Sequence, residues 1–110
     1  MTGRMTGRMT GQLSDKTGGH VLIIHEVADY PHWKAIFDEA APLRREAGEI
    51  AYRLLACDDD AKRLVHFSRW SSLTAARAFF ESPRLVEIRR MAGVRTPEFH
   101  YLNEIEAKLL

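Results

Sequence analysis

The sequence predicts an α+β domain of the ferredoxin-like type, in which a β-α-β-β-α-β chain forms a four-stranded antiparallel sheet. The first observation is length, because 110 residues with 45% hydrophobic and 28% charged side chains suit one globular domain. The second is periodicity, since four segments have the spacing of strands and two have that of amphipathic helices. The third is the short link between the second and third strands, which favours a hairpin. This order places both helices on one face of the sheet.

The first 19 residues stand apart from the predicted domain, which spans residues 20–110. Met-Thr-Gly recurs at Met1, Met5 and Met9, and sequence rich in Gly, Thr and Ser follows. Nothing in this stretch has an apolar face, so we expect a disordered tail. Met5 and Met9 are alternative start residues.

The first predicted strand, His20 to Ala28, is apolar at both odd and even positions, which indicates burial on both faces. The helix that follows runs from Tyr30 to Ala47, with Asp29 as its N-cap. Pro42 removes one backbone hydrogen bond and is expected to kink the helix, and Gly48 ends it. One face of this helix is apolar and must cover the sheet. That face consists of Trp33, Ile36, Phe37, Ala40 and Leu43.

The second and third predicted strands, residues 50–57 and 63–70, are joined by a charged turn at residues 58–62. In the third strand, Val65 and Phe67 point to one face of the sheet. The even-numbered residues of that strand point to the other face and are Leu64, His66, Ser68 and Trp70.

The second helical segment begins at about Leu73, with Ser71 or Ser72 as its expected N-cap. Ser82-Pro83 interrupts it, because a residue before proline avoids helical angles. The helix then resumes over residues 84–92.

The fourth predicted strand covers residues 98–105, after a break at Thr96-Pro97. Its odd-numbered residues, such as Phe99, lie on the face opposite His100. Residues 106–110 are a short tail with an apolar end.

Both helices cover one face of the predicted sheet and leave the other face bare. Because strands one to three are apolar at both parities, an exposed second face would be a large apolar patch. Two copies packed sheet against sheet in a two-fold homodimer would bury it.

Charge, apolar run length and cysteine count exclude several classes of protein. A net charge of +1 offers no electrostatic basis for binding nucleic acid or an anionic membrane. No apolar run approaches the ~20 residues of a membrane span. The single Cys57 rules out an internal disulfide and favours a reducing cytoplasm. The sequence contains no Gly-rich phosphate loop, Rossmann pattern or nucleophile elbow.

Three stretches of the chain resemble one known family. The first contains His25, Val27, Asp29, Tyr30, Trp33, Phe37 and Asp38; the second contains Trp70, Leu73, Ala76, Arg77 and Phe79 ahead of Ser82-Pro83; the third runs from Gly93 to Leu102. Together they resemble the antibiotic biosynthesis monooxygenase family over residues 20–106. The resemblance implies a dimeric α/β barrel of two ferredoxin-like protomers. Members of the family include cofactor-free oxygenases that oxidise aromatic polyketides to quinones, and haem-degrading enzymes.

The resemblance also suggests which residues line the family's cleft between sheet and helices. Trp70, Tyr52 and Arg53 are the suggested counterparts of the polar and aromatic groups in the quinone-forming members. In the haem-degrading members an Asn on the first strand, a Trp ending the third strand and a His on the second helix act together. Trp70 matches that Trp, but His25 and Phe80 stand where the Asn and the His are expected. The resemblance therefore disfavours haem degradation.

His25 and His66 are the candidate catalytic residues. They lie on strands that are neighbours in this topology, and an imidazole with an ordinary pKa near ~6.5 suits proton transfer at neutral pH. An oxygenase that works without a cofactor must deprotonate its phenol or hydroquinone before an electron passes to oxygen. The candidate substrate-binding residues are Trp33, Phe37, Tyr52, Trp70 and, from the fourth strand, His100.

Structural explanations remain open for the same residues. Buried histidines are usually satisfied by hydrogen bonds, and aromatic side chains on an apolar face usually pack in the core. Three histidines on adjacent strands would suggest a metal, but a common face is not readable from the sequence, so we predict no metal and no cofactor. The pairs Arg44-Arg45 and Arg89-Arg90 are interpreted as exposed helix faces.

Three functions follow from this reading. The first is a homodimeric, cofactor-independent monooxygenase that oxidises a small aromatic or polyketide-like phenol to a quinone. The second is a non-catalytic dimeric protein of the same fold that binds a small apolar ligand and needs neither histidine. The third, disfavoured above, is haem binding and degradation.

Overall fold

The computed structural model describes residues 19–110, so the predicted disordered tail, apart from Gly19, lies outside the described residues. The ferredoxin-like α+β fold is confirmed, with each predicted helical segment divided into two helices. The elements in chain order are β1 (Gly19–Val27), α1 (Tyr30–Glu39), α2 (Ala41–Ala47), β2 (Glu49–Cys57), β3 (Asp60–Trp70), α3 (Leu73–Phe80), α4 (Pro83–Met91) and β4 (Val94–Asn103).

The four strands form one antiparallel sheet in the order β2-β3-β1-β4. At its centre Ile23 of β1 lies between His66 of β3 and Phe99 of β4. Side chains alternate between the faces, so the odd-numbered residues of β1 and the even-numbered residues of β3 from Leu64 onward point toward the helices and are buried. This is the alternation predicted for the third strand.

Both helical segments break where proline predicts a break. Pro42 lies in the first turn of α2, and Ala40 separates α1 from α2. Pro83 opens α4 after Ser82. The four helices contain only 7 to 10 residues, and none within residues 19–110 has the length and apolar character needed to cross a membrane.

Serine side chains cap two helices, whereas the aspartate predicted to cap the first helix makes no capping hydrogen bond. Ser72 accepts a hydrogen bond from the Ala75 N–H at 2.9 Å, and Ser82 accepts one from the Leu85 N–H at 3.3 Å. Asp29 occupies the N-cap position of α1, but its side chain makes no capping hydrogen bond.

Strand β4 begins at Val94, four residues before the predicted start at residue 98, and so it includes Thr96-Pro97, where a break was predicted. Thr96 has a φ of 38°, and the pairing with β1 shifts register between Ile24 and Glu26. A bulge of this kind accommodates an extra residue without ending the strand. Proline is tolerated here because β4 is an edge strand of the sheet.

Two apolar clusters fill the space between sheet and helices. One contains Val21, Ile23, Trp70, Ala76 and Phe80, and the other contains Val27, Trp33, Phe37, Leu64 and Ala92. His66 bridges them, because its ring lies 5.0 Å from that of Phe37 and 6.5 Å from that of Phe80. The two clusters therefore meet around a polar residue.

Replacing Ser72 by alanine is expected to lower the free energy of unfolding by about 1 kcal/mol, because α3 loses the oxygen that caps the Ala75 N–H. Urea unfolding at one fixed protein concentration measures the change. Ser71→Ala is the matched control, since Ser71 is exposed and lies outside the helix; its effect should stay within about 0.5 kcal/mol. Equal losses in the two variants would contradict the assignment of the cap to Ser72.

Candidate active site

A cavity lies between the helix-facing side of the sheet and the helices. It encloses about 460 Å³ when its open mouth is included. Most of its wall is apolar, and four polar side chains interrupt that wall: His25, Arg44, His66 and Arg89. The remaining wall residues are Trp33, Ile36, Phe37, Ala40, Phe80, Leu85, Ile88, Ala92 and Val94. An apolar pocket with a few convergent polar groups is typical of a small-molecule site.

His25 and His66 reach the cavity from adjacent strands. Leu64 is the direct partner of His25, and Ile23 is the direct partner of His66, so the two histidines are diagonal neighbours on the helix-facing side. Their ring centroids are 6.5 Å apart and nearly parallel, at 20°. The exposed fractions of these residues are only 5% and 2%. Strand register thus brings both candidate catalytic residues to one place.

His25 is a neutral imidazole with an unused hydrogen-bonding atom. Its Nδ1 is buried and has no hydrogen-bond partner. Burial, followed by the charges of His66 and Arg89, lowers the pKa of His25 to about 3. Trp33 packs beside it with ring centroids 5.5 Å apart. The side chain is therefore held uncharged at neutral pH, with Nδ1 available to a ligand.

Behind His66 lies a buried charged network. The Nε2 atom of His66 is 2.7 Å from Oε2 of Glu49, and Nε of Arg44 donates to Oε1 of Glu49 at 2.6 Å. Arg44 Nη1 also donates to the Phe37 carbonyl at 2.6 Å. Burial alone would raise the pKa of the Glu49 carboxyl, but the hydrogen bonds and charges of His66 and Arg44 outweigh burial and hold that pKa below its ordinary value. Glu49 is therefore a carboxylate inside the protein.

Arg89 brings a second positive charge to the cavity from α4. Its Nη1 is buried without a hydrogen-bond partner, and its guanidinium lies 4.9 Å from the centre of the Phe99 ring. Burial lowers the pKa of the guanidinium, and the nearby Tyr101 opposes this. An arginine remains charged at any physiological pH. An unpaired cationic donor in an apolar wall favours an anionic or strongly polar ligand atom.

The two predicted aromatic residues of α1 line the cavity. Trp33 and Phe37 stack on each other with centroids 4.8 Å apart. Tyr52, the third predicted aromatic residue, is not among the residues that line the cavity, and 44% of it is exposed. Its ring contacts Phe37 at 5.3 Å and His66 at 5.6 Å, both edge to face. These rings present flat apolar surface close to both histidines.

Trp70 and His100, two further predicted substrate-binding residues, also lie outside the cavity wall. Trp70 is fully buried in the core, and its Nε1 donates to the Ser68 hydroxyl at 2.8 Å. His100 is an exposed residue whose Nε2 lies 2.8 Å from Oε2 of Glu98. It pairs with Leu22, an even-numbered residue of β1 that points away from the helices. The register of β4 therefore places His100, a candidate substrate-binding residue, on the sheet face opposite that of His25 and His66.

Three charged residues of the site, Arg44, Glu49 and Arg89, were not predicted. The interpretation of Arg44 as exposed is wrong, since only 4% of it is exposed, and Arg89 is partly buried against the cavity. Helical spacing in the sequence could have predicted the burial of both arginines. Arg44 follows Phe37 by seven residues, and Arg89 follows Leu85 by four, so each is in phase with a buried apolar residue. Glu49 carried no such signal, because it stands alone at the first position of β2.

Within the part of the chain that the structure describes, no group of three or more His, Cys, Asp or Glu side chains is arranged to hold a metal ion. Cys57, the single cysteine, is a partly buried free thiol at the end of β2.

Comparison with known proteins identifies one family. The sequence model of the antibiotic biosynthesis monooxygenase family matches residues 28–91, which is more than half of the chain. No significant match to a curated protein was found.

Two solved structures from Streptomyces have a similar fold. SnoaB, a cofactor-independent oxygenase from Streptomyces nogalater, has a TM-score of 0.68 and 15% identity, with 81% of this chain and 94% of that chain covered. The monooxygenase ActVA-Orf6 of Streptomyces coelicolor, in complex with nanaomycin D, has a TM-score of 0.61 and 19% identity, with 86% and 94% covered.

The depressed pKa of His25 makes the stability of the fold depend on pH. Unfolded, His25 takes up a proton near its ordinary pKa of 6.5, whereas folded it does so only at about 3. This residue therefore disfavours the folded state below pH 6.5, and the free energy of unfolding falls on acidification by up to about 1.4 kcal/mol per pH unit. The variant His25→Phe has no imidazole at this position. Urea unfolding should therefore show a smaller decrease in the free energy of unfolding between pH 6.5 and 5 than in the wild type. The same slope in both proteins would contradict a neutral His25.

Proposed function

Because the chain belongs to the antibiotic biosynthesis monooxygenase family, we propose that it is a cofactor-independent monooxygenase that oxidises a small aromatic or polyketide-like phenol to a quinone. The observation that carries this proposal is the apolar cavity with His25, His66 and Arg89 directed into it. The solved structures of a cofactor-independent oxygenase and of a monooxygenase in complex with nanaomycin D share this fold and support the same class of reaction.

A flat substrate would enter between the sheet and the helices. Trp33 and Phe37 offer aromatic surface in the cavity wall, and the ring of Tyr52 packs edge-on against that of Phe37. Apolar walls exclude water, which favours a substrate with few polar groups and strengthens electrostatic interactions inside the cavity.

The reaction begins when a proton leaves the phenol and passes to an imidazole. The resulting anion transfers one electron to O₂, and recombination of the radical pair forms a carbon–oxygen bond. The imidazolium then returns its proton to the outer peroxide oxygen, which gives a hydroperoxide. Loss of water then leaves a carbonyl group. In total a ring C–H and a phenolic O–H are exchanged for a second C=O, and one O₂ yields one quinone oxygen and one water.

The polar groups of the cavity suit these steps. Arg89 offers an unpartnered N–H to the oxygen on which negative charge develops. His25 is a weak base in the empty cavity, but an anion formed beside it would favour its protonated state. His66 has the carboxylate of Glu49 behind it, which stabilises the imidazolium after proton uptake.

Phe80 supports an oxygenase over a haem-degrading enzyme. It occupies the position where the haem-degrading members have a histidine, and its apolar ring lines the cavity. A non-catalytic protein that binds a small apolar ligand would use the same aromatic wall without any role for the two imidazoles.

We further propose that two copies assemble through the sheet face that the helices leave uncovered. Six apolar side chains point to that face: Leu22, Ile24, Leu55, Val65, Phe67 and Leu102. Leu55 and Leu102 have 53% and 39% of their surface exposed in the single chain. A contiguous apolar patch of this kind favours an isologous two-fold contact. The free thiol of Cys57 agrees with a reducing cytoplasm as the location of this homodimer.

Purified protein treated with a chelator should consume oxygen with anthrones, naphthols or hydroquinones. Replacing His25 by alanine or His66 by asparagine should lower kcat by about 100-fold or more, because each removes a group that accepts or shares the proton. Arg89→Met should lower kcat by about 100-fold through loss of charge stabilisation. An oxygen electrode measures all three rates.

Arg90→Met is the matched control, because Arg90 lies next to Arg89 on α4 but pairs with Glu87 on the surface. It should keep the wild-type rate. Oxygen uptake that never exceeds the rate without protein would refute the oxygenase and favour the ligand-binding protein. An absorption band near ~400 nm on addition of haemin would instead favour haem binding.

Phe67→Glu is expected to convert a dimer into a monomer, because it places a charge in the centre of the apolar sheet face. Sedimentation equilibrium at micromolar concentration reports the mass of each variant. Phe67→Leu keeps the face apolar and should remain dimeric. A wild-type protein that sediments as a monomer would contradict the proposed assembly.

A further inference from the structure

We propose that Glu49 is a positioning residue that holds the proton of the neutral His66 ring on Nε2, so that Nδ1 is the atom that accepts the substrate proton, and that Arg44 fixes Glu49 in this role. The proposal rests on the oxygenase function proposed above and adds the identity of the basic atom. It concerns the buried network of α2, β2 and β3, whose three side chains have at most 9% exposed surface.

The first step concerns the tautomer of His66. An ionised carboxylate only accepts hydrogen bonds, so the contact of 2.7 Å between Nε2 and Oε2 of Glu49 requires a proton on Nε2. A neutral imidazole has one N–H, and its other nitrogen is then an acceptor. His66 lines the cavity, so the basic nitrogen left for a ligand is Nδ1.

The second step concerns the orientation of Glu49. Arg44 donates from Nε to Oε1 of Glu49 and from Nη1 to the Phe37 carbonyl. Its guanidinium carbon also lies 3.7 Å from the centre of the Phe37 ring. A guanidinium has donors only. The atom of residue 49 that faces Arg44 must therefore be an acceptor, and the other carboxylate oxygen is directed at His66.

The third step concerns charge. Arg44 and Glu49 carry opposite charges and neutralise each other, so a neutral His66 ring leaves the network without net charge. When Nδ1 accepts the phenol proton, the O–H bond breaks, an N–H bond forms, and the imidazolium has Glu49 on one side and the new anion on the other. Glu49 keeps its negative charge throughout, as the buried carboxylate of a catalytic triad does. The proton on Nδ1 then passes to the peroxide oxygen that forms on the substrate, which restores the neutral ring.

Glu49→Gln tests this arrangement, because Arg44 dictates how the new amide lies. The amide oxygen must face the donors of Arg44, so the amide NH₂ faces His66. That group donates to Nε2, and the ring proton must then move to Nδ1. The variant keeps the size of the side chain but removes the basic lone pair from the cavity.

The tautomer is measured without any substrate. Long-range ¹H–¹⁵N correlation spectra of protein labelled at histidine, recorded where the ring is neutral, distinguish the two forms, and His66→Asn assigns the signals. The wild type should show the Nε2–H tautomer and Glu49→Gln the Nδ1–H tautomer. Glu46→Gln, an exposed position of α2, should give the wild-type spectrum. A wild-type Nδ1–H tautomer, or no change in Glu49→Gln, would overturn the proposal.

A double variant isolates the part played by Arg44. In Arg44→Met with Glu49→Gln, no donor holds the amide, which can turn its oxygen toward His66. The Nε2–H tautomer should return. Retention of the Nδ1–H form in a folded double variant would remove Arg44 from the mechanism.

Kinetics then tests the base itself. Oxygen uptake by Glu49→Gln should fall by about 100-fold to 10,000-fold in kcat with little change in KM, because the substrate still binds while its proton has no acceptor. An active wild type whose kcat is unaffected by Glu49→Gln would refute Nδ1 of His66 as the base. Absence of oxygen uptake by the wild type would refute the oxygenase and the role as base, whereas the tautomer spectra would still decide the positioning by Glu49.

Discussion

A single buried carboxylate connects most of the elements around the cavity. Glu49 begins β2, and its two oxygens receive hydrogen bonds from Arg44 of α2 and His66 of β3. Arg44 in turn reaches the end of α1 through the Phe37 carbonyl. A buried charge that loses its partner destabilises a protein by about 3 to 5 kcal/mol. The positions of α1 and α2 over the sheet, and thus the width of the cavity, therefore depend on this network.

The network also explains why a cavity exists where a small domain would be expected to have a filled core. His25 and His66 lie between the two apolar clusters, and neither ring can be covered entirely by apolar side chains without a loss of hydrogen bonds. Glu49 satisfies one nitrogen of His66, while Nδ1 of His25 and Nη1 of Arg89 remain without partners. Unsatisfied polar atoms in an apolar wall destabilise the empty protein and favour a ligand that supplies the missing contacts.

In the proposed homodimeric oxygenase, one face of the sheet forms the cavity and the other face forms the contact between the two copies. The helix-facing side holds the cavity, the network and both imidazoles. The opposite side presents aliphatic and aromatic residues such as Leu22 and Phe67, together with exposed polar side chains such as the hydrogen-bonded Glu98 and His100. A partner on the opposite side would not contact the helices that cover the cavity. Assembly and chemistry can therefore occur on one small domain without competing for surface.

Local sequence determined the element order, the helix breaks and the face on which each strand residue lies. Pro42 and Pro83 act through their own backbones, and the alternation along β3 follows from strand geometry alone, so neither depends on distant residues. The pattern also singled out Trp33 and Phe37, because helical periodicity places them on the apolar face. His25 and His66 were recognisable as polar residues within buried strands, although nothing local showed that they meet.

Tertiary structure decided which of these residues share a site. The register of β4 places His100 opposite Leu22, on the sheet face that points away from the helices. Trp70 packs against Phe80 of α3 and does not line the cavity. Arg44 of α2 pairs with Glu49 of β2, so the ion pair joins two different elements. The way in which strands and helices pack against one another is a long-range property, which the spacing of residues along the chain does not specify. The sequence by itself thus determined the fold and the candidate imidazoles. Only the folded chain decided the charges around them, because a buried ion pair exists only where packing brings its partners together and excludes water.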